Sequence, residues 1–274
     1  MEDFTIAIYC FIDDLLQKTH TRQVDKRRKL TDSQVVTTLI LSAKYFYGNH
    51  NSACLYLKSH YGFNMPDKSN FNRIVDSLSD VIVDFFSCLG LIFKNLNLSS
   101  VYIIDSFPIA VCRNIRIGHC KLLTGNQYRG YTACKREYFY GLKVHLISTG
   151  DGIPVEFMVT AGSVHDNTAF QAMNVDLPAG SDLYADAAYI NHQHRDLLFE
   201  FQQIRLKTAT KNNSKERNTW AQELENRYYR KRIENTFADT VAKLPKKLHA
   251  VTAKGFLLKI LSLIILVCID RQFN

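Results

Sequence analysis

Three acidic residues stand in sequence contexts that ordinary surface carboxylates rarely share. Asp105 and Asp186 each end a short apolar run, at residues 101–104 and 183–185, and Glu234 lies in a basic stretch that is typical of a helix. Two carboxylates at the tips of buried strands and one on a helix could converge on a pair of divalent cations. Carboxylate oxygens are the ligands that Mg²⁺ and Mn²⁺ prefer, and paired ions of this kind catalyse phosphodiester chemistry.

Asp105 and Asp186 are stronger candidates for site residues together than singly, because both occupy the same position relative to a predicted strand. An aspartate at the carboxyl end of a strand points into the crevice where open α/β sheets bind ligands. Either aspartate alone could simply cap the next turn, but two of them with a third acid downstream favour a site. Asp182 precedes the apolar residues of its strand, so we expect it at the opposite end of the sheet and exclude it.

Glu234 is predicted to lie at the edge of a core-facing stripe. Apolar residues recur every four positions along its helix, at Ile233, Phe237 and Val241. Arg230 precedes Glu234 by one turn on the same face, and Arg227 by nearly two turns. The arginines could hold phosphate oxygens while Glu234 holds a metal. The alternative is an exposed Glu–Arg pair, which is worth on the order of a few tenths of a kcal/mol.

The pair His165-Asp166 is a further candidate for chemistry. Asp166 could cap the following helix, or the pair could belong to a metal phosphohydrolase. The sequence has no partner histidines at a suitable spacing, so the second interpretation is less favoured. His145 lies within a predicted strand, and we expect it to be packed rather than catalytic.

Residues 1–95 predict helices only. Three short helices that follow the basic run 26–29 fit a helix-turn-helix-like DNA-binding module, in which Arg27, Arg28 and Lys29 are candidate DNA contacts. The alternative is an ordinary helical bundle. The capping residues expected at the helix starts are Thr31 or Asp32, Asn51 or Ser52, and Asp67 or Ser69.

From about residue 98 the pattern changes to strand, hairpin, helix, strand, helix, strand, helix. This order predicts an α/β sheet with an antiparallel hairpin on one side and parallel strands on the other. We therefore predict two domains, a helical DNA-binding domain over 1–95 and a catalytic domain over 96–274. The predicted strands are 101–105, 138–148, 153–160, 183–185 and 204–209. The predicted helices are one capped by Ser163 or Asp166 that ends at 173, and those over 192–201 and 223–242.

The segment 113–137 follows Asp105 and interleaves basic and aromatic residues. Such a pattern suits a nucleic-acid surface, because aromatic rings stack on unpaired bases. The alternative is a solvated insertion that binds nothing. The candidate residues are Arg113, Arg116, Lys121, Tyr128, Arg129, Tyr131, Lys135 and Arg136.

Composition limits the class of protein. The chain has 274 residues, enough for one large domain or two modest ones, and its net charge of +8 fits a polyanion such as DNA or RNA. Seven cysteines without a CxxC pair indicate reduced thiols in a cytoplasmic protein. The N-terminus lacks the cationic start of a signal peptide. The longest apolar run, 256–269, is too short to span a bilayer and predicts a helix docked on the core.

Three motifs together resemble those of bacterial insertion-sequence DDE transposases, of which the nine-eighty-two subgroup is the most similar. They are the central signature over 141–146, 152–154 and 161–166, the segment 184–189 around the second acid, and the segment 232–237 around the third. The resemblance covers about residues 98–270. It implies a ribonuclease-H-like mixed sheet flanked by helices, preceded by a small all-helical domain. In many relatives a tyrosine stands seven residues before the glutamate and a lysine seven after, whereas this chain has Arg227 and Val241 there.

The resemblance also implies a mechanism. Asp105, Asp186 and Glu234 would bind two Mg²⁺ or Mn²⁺ ions about 3.5–4 Å apart, and Arg230 would steady the phosphates. Water would hydrolyse double-stranded DNA at the element's end, and the freed 3′-hydroxyl would attack target DNA, with a homodimer on paired ends. The alternatives are a ribonuclease-H-like nuclease that does not join strands and a transposase-derived DNA-binding regulator.

Overall fold

The computed structural model describes residues 2–19, 28–133, 136–209, 218–243 and 248–273. Two of the predicted DNA contacts, Arg27 and Lys135, lie outside these ranges. Contacts divide the chain into two compact units, which we call the helical unit (1–89 with 243–274) and the sheet unit (90–242). No helix in the described ranges is long and apolar enough to cross a membrane.

The helical unit contains the N-terminal helices that the sequence predicts. Thr31 caps the second helix in a capping box with Gln34, and Asp67 caps the fourth. The prediction for the third helix was wrong, because Asn49 rather than Asn51 or Ser52 is its cap and accepts both of their amides. The helices are α1 (Glu2–Thr19), α2 (Asp32–Tyr45), α3 (His50–Tyr61), α4 (Lys68–Ser77), α5 (Ser79–Leu96), which continues into the sheet unit, and α9 (Ala253–Phe273).

The C-terminal helix α9 packs with the N-terminal helices. It contacts α2 and α4, its residues 260–270 are all buried, and Asp270 forms an ion pair with Lys44. A helix that is apolar on every face must be surrounded by other elements, which α2 and α4 provide. The compact units therefore divide the chain differently from the predicted domains 1–95 and 96–274. The assignment of separate DNA-binding and catalytic roles to two domains stays a prediction.

The sheet unit is built on one mixed sheet in the predicted order. Along the sheet the strands run β4-β3-β1-β5-β6, with β1, β3 and β4 antiparallel and β1, β5 and β6 parallel. β2 pairs with β3 near the start of β3. This is the ribonuclease-H-like α/β architecture. The strands are β1 (Val101–Cys112), β2 (Arg129–Thr132), β3 (Glu137–Thr149), β4 (Pro154–Ala161), β5 (Asp182–Ala185) and β6 (Arg205–Thr208).

Local sequence explains the hairpin and the close strand pairing. Gly152 turns the chain from β3 to β4 with φ 83°, a conformation that glycine adopts without steric cost. At Gly141 a Cβ atom would lie 2.0 Å from the main-chain oxygen of Ile109, so only glycine lets β1 and β3 pair there. The remaining helices, α6 (Asp166–Ala172), α7 (His192–Gln202) and α8 (Trp220–Lys243), follow the predicted order.

Candidate active site

Asp105 and Asp186 lie side by side on neighbouring parallel strands. Ile104 of β1 pairs with Ala185 of β5, so the next positions along both strands are Asp105 and Asp186. Each carboxylate accepts a hydrogen bond of 2.7 Å from the following main-chain amide, at Ser106 and Ala187. The two carboxylates are therefore held near each other by the register of the sheet.

The prediction that β1 ends at Asp105 was wrong. β1 continues to Cys112, because β3 goes on pairing with it as far as Tyr140. Asp105 is instead the first residue of β1 beyond its pairing with β5. From there to Cys112, the described pairing of β1 is with β3. The other edge of β1 is therefore not paired with β5 beyond Ile104.

The electrostatic environment of Asp105 disfavours its charged form. Burial is the main cause and raises the pKa of this carboxyl from 3.8 to about 7, with further increases from the charges of Asp186 and Asp166. The amide of Ser106 and the charge of Arg230 act in the opposite direction. A divalent cation bound to these acids would favour their charged forms and so offset the cost of burial.

Arg230 links Asp186 to Glu234. Its Nη1 lies 3.7 Å from Asp186 Oδ1, and its Nε donates to Glu234 Oε1 at 3.3 Å. The Glu234 side chain is 65% exposed. The structure thus brings Asp105 and Asp186 together and connects Glu234 to them through the arginine one helical turn earlier.

Helix α8, which carries Arg230 and Glu234, is fixed to the tips of β5 and β6. The Tyr184 hydroxyl donates to Glu225, and Lys207 Nζ donates to both Tyr184 and Glu225, at 2.9 and 3.2 Å. The ring of Tyr184 also packs on Tyr229, with centroids 4.1 Å apart. In addition, Asn226 Nδ2 donates to the main-chain oxygen of Thr208.

Asp182 lies at the opposite end of β5, as the sequence predicts. It pairs in the sheet with Val101, four positions before Asp105, and forms ion pairs with Arg205 and Lys207. Its contacts are those of a structural residue.

Asp166 lies closer to the aspartate pair than the sequence analysis indicated. Its Oδ1 accepts hydrogen bonds from Ser106 Oγ at 2.9 Å and from Lys143 Nζ at 3.0 Å. The residue does not cap α6, because His165 holds the cap position and no side chain caps that helix. The signal for this contact was present, since Lys143 and Asp166 belong to the same three-part signature.

Two buried polar groups lie near this cluster. His145 is fully buried, donates or accepts at Thr160, and has its pKa lowered to about 4 by burial, so it is packed and neutral. Tyr189, which no sequence motif indicated as a site residue, is almost fully buried and lies beside Ser106 and Asp105. Burial, with the charge of Asp105 next, raises the pKa of Tyr189 well above its ordinary value.

The predicted DNA contacts lie in different surroundings. Arg28 is half-buried and ion-paired with Asp32, whereas Lys29 is exposed. The Arg227 side chain is 78% exposed and lies 4.0 Å from Glu223. Near β2 and β3 the rings of Tyr131 and Tyr138 are exposed and have centroids 4.9 Å apart. The exposed basic residues of the same segment are Arg113, Arg116, Lys121, Arg129 and Arg136.

The donor chemistry fits a divalent cation at the aspartate pair. Asp105 and Asp186 offer the oxygen ligands that Mg²⁺ and Mn²⁺ prefer, and a bound cation would offset the burial that raises the pKa of Asp105. Within the ranges that the structure covers, no three His, Cys, Asp or Glu side chains are grouped closely enough to hold one ion. Glu234, paired with Arg230, is therefore a separate donor in this structure.

One family comparison identifies the chain. The family described as Transposase DDE domain matches residues 96–252, which include both aspartates, Arg230 and Glu234. No curated protein and no solved structure matches the chain. Because the match covers more than half of the chain and coincides with the mixed sheet and its acids, the chain belongs to the transposase DDE domain family.

Proposed function

We propose that this protein is a transposase that cleaves DNA at the ends of its insertion sequence and joins the freed 3′-hydroxyl to target DNA. The observation that carries the proposal is the adjacent placement of Asp105 and Asp186, directly after the paired residues Ile104 and Ala185, with Arg230 between Asp186 and Glu234. The proposal follows the family, whose members act on DNA, and assigns the reaction to named residues. The proposed subgroup is nine-eighty-two, on the motifs given above.

Each residue has a definite task in this proposal. Asp105 and Asp186 hold divalent cations, and Glu234 is the third acidic ligand. Bound there, Mg²⁺ or Mn²⁺ would lower the pKa of a water molecule and would stabilise the charge on the phosphate. Arg230 has planar N–H donors that match phosphate oxygens, and it steadies the scissile group. No covalent protein–DNA bond is needed, so the mechanism requires no nucleophilic serine, cysteine or tyrosine.

The DNA surface is proposed from charge and exposure. Arg113, Arg116 and Arg129 are exposed in the segment that follows β1, close in sequence to the catalytic strand. The exposed pair Tyr131 and Tyr138 offers aromatic faces on which unpaired bases stack. Element ends are processed in pairs in this scheme, so the proposed assembly on DNA is a homodimer.

The test uses the full chain and duplex DNA that carries the genomic flanks of its coding sequence. We expect Mg²⁺-dependent cleavage that leaves 3′-hydroxyl ends, followed by joined products with a second duplex. Asp105→Asn and Glu234→Gln should each lower the rate by more than about ten- to a hundredfold, the loss that follows when only a group supporting a metal ligand is removed. Cleavage without joined products would indicate a nuclease, and binding without cleavage would indicate a regulator.

Arg230 allows a sharper test with a matched control. Arg230→Gln removes the guanidinium between Asp186 and Glu234, and we expect the cleavage rate to fall by about ten- to a hundredfold. Lys231→Gln removes the same charge from the neighbouring, exposed position of α8 and should change the rate by less than about threefold. Equal losses in both variants would show that only the net charge of the helix matters.

A further inference from the structure

A chain of hydrogen bonds leads from the aspartate pair to the start of α6. The main-chain amide of Ser106 donates to Asp105 Oδ1 at 2.7 Å, and the hydroxyl of the same serine donates to Asp166 Oδ1 at 2.9 Å. Lys143 Nζ donates to that same Asp166 oxygen at 3.0 Å. Ser106 therefore connects the first acid of the site with a carboxylate to which the proposed function gives no task.

The register of the sheet brings these side chains together. Ser106 of β1 pairs with His145 of β3, and Lys143 stands two positions before His145. Because side chains at alternate positions of a strand project from the same face, Ser106 and Lys143 share one face of the sheet. Asp166, the first residue of α6, contacts both of them. The three residues thus join β1, β3 and α6 directly beside Asp105.

Asp166 is suited to be an anchor rather than a further metal ligand. Its Oδ1 accepts two hydrogen bonds, and Lys143 balances its charge in an ion pair whose side chains are 14% and 23% exposed. A cation at that oxygen would lie beside the lysine ammonium, which would repel it. Lys143 Nζ also donates to the main-chain oxygen of Val164 at 2.9 Å, so the lysine holds the turn that leads into α6.

The anchor lies where β1 has one strand neighbour fewer. Beyond Ile104 the described pairing of β1 is with β3, so pairing with β5 does not hold the strand at Ser106. The hydroxyl bond from Ser106 to Asp166 supplies a contact to another element at this position. Carboxylates that bind metals are themselves held by hydrogen bonds, and the loss of such support lowers metal affinity about 10–100-fold.

We propose that Ser106, Lys143 and Asp166 are positioning residues, which hold the Asp105 carboxylate in the orientation that binds a divalent cation. A hydrogen bond at one oxygen of a carboxylate leaves the other oxygen for the ion. The three residues act through Asp105 and are not ligands. The inference rests on the proposed role of Asp105 as a metal ligand, and it names the residues on which that role depends.

The experiment titrates the full chain with Mn²⁺ in the absence of DNA and measures binding by electron paramagnetic resonance. The binding that counts is the part that Asp105→Asn abolishes. Ser106→Ala removes the hydroxyl but keeps the main-chain amide, and we expect the dissociation constant of Mn²⁺ to rise about tenfold. Ser106→Thr restores a hydroxyl at the same position, so its dissociation constant should stay within about threefold of that of the wild type.

Two substitutions of Asp166 separate its hydrogen bonds from its charge. Asp166→Asn and Asp166→Ala remove the same charge, but only the asparagine keeps an oxygen that can accept from Ser106 and Lys143. We expect the alanine variant to bind Mn²⁺ about tenfold more weakly than the asparagine variant. Equal affinities would mean that the acid acts by its charge alone, and they would overturn the positioning role.

Ser181→Ala is the matched control for Ser106→Ala. Ser181 is buried directly before β5, at the end of that strand away from Asp186, and its hydroxyl donates to the main-chain oxygen of Pro178. Each variant loses one hydroxyl hydrogen bond, so urea unfolding should show similar losses of stability, whereas Mn²⁺ affinity should fall only in Ser106→Ala. Equal weakening in both, or a Ser106→Ala affinity within about twofold of the wild type, would overturn the inference.

Cleavage assays separate this inference from the proposed function. If Ser106→Ala cleaves and joins DNA with the Mn²⁺ dependence of the wild type, the proposed function stands and the positioning role is wrong. If the wild type does not cleave DNA but the Mn²⁺ affinities follow the expected pattern, the positioning role stands and the proposed function is wrong.

Discussion

The position of Asp105 makes its charged form costly and also makes it suitable as a metal ligand. The fold places its carboxyl beside Asp186 and near Asp166, and burial makes the ionised form costly. The same arrangement provides the adjacent oxygen ligands that a divalent cation needs. We infer that the site costs stability when no cation is bound and regains it when one binds.

This inference predicts a pH-dependent effect of Asp105→Asn. The pKa of Asp105 in the folded protein, about 7, exceeds its ordinary value of 3.8, so the folded state keeps a proton that the unfolded state has lost. The contribution of this group to stability therefore falls as pH rises from about 4 to about 7. We expect the free energy of unfolding of the variant to exceed that of the wild type by on the order of 2 kcal/mol at pH 8, and by much less at pH 4.5.

Urea unfolding at the two pH values, with and without Mg²⁺, measures this difference. Mg²⁺ should narrow the gap at pH 8, because it stabilises only the protein with the ionised carboxylate. Asp182→Asn is the contrasting variant on the same sheet. It loses ion pairs to Arg205 and Lys207, so it should lower stability at pH 8. A gap for Asp105→Asn that is the same at both pH values would contradict the prediction.

At the scale of elements, α8 is the one whose position decides whether the site forms. Arg230 and Glu234 belong to this helix, whereas Asp105 lies in β1 and Asp186 directly follows β5. The connection between them passes through Tyr184, Lys207 and Glu225, where strand side chains meet the first half of the helix. The activity of the site should therefore depend on these contacts, although Tyr184, Lys207 and Glu225 are not among the proposed metal ligands.

Tyr184→Phe tests this dependence. The substitution keeps the ring on Tyr229 but removes a hydroxyl that donates to Glu225 and accepts from Lys207, so we expect a loss of about 1 kcal/mol of stability. Hydrogen exchange should become faster in α8 and stay unchanged in α7, and cleavage should slow. Tyr228→Phe is the matched control, because its hydroxyl contacts only the exposed Arg232 among the described residues. If Tyr228→Phe slowed cleavage as much as Tyr184→Phe, the loss of activity would not result from a change in the position of α8.

At the scale of the whole molecule, net charge and its distribution govern the interaction with DNA. A chain of net charge +8 is attracted to DNA through release of counterions, whichever surface makes the contact. The exposed arginines after β1 are the residues by which we propose that this attraction is directed to the sheet unit.

The salt dependence of DNA binding tests this surface. Replacing Arg113 and Arg116 together with glutamine removes two phosphate contacts, so the slope of log K against log salt should become less steep by about 1.8. Lys18→Gln with Lys58→Gln makes the same change of charge on exposed positions of α1 and α3. This control should leave the slope unchanged, and a parallel loss in both pairs would show that the net charge alone determines binding.

Much of the sheet unit could be predicted from the sequence. Apolar runs and the glycine turn are local signals, so the strand order, the β3–β4 hairpin and helices α6 to α8 follow from them. The neighbouring positions of Asp105 and Asp186 also follow, because both end an apolar run on parallel strands. The exclusion of Asp182 from the site also follows from strand direction, because Asp182 precedes the apolar residues of β5 and so lies at the other end of the strand.

Tertiary structure alone decided the features that depend on distant residues. Ser106 and Asp166 are 60 positions apart in sequence, and their hydrogen bond exists because β1 and β3 pair and α6 begins beside them. The extension of β1 to Cys112 depends on its partner β3, and the place of α9 depends on α2 and α4. A local pattern fixes which face of an element is apolar. It does not fix which other element covers that face, since that choice depends on the free energy of packing the whole chain.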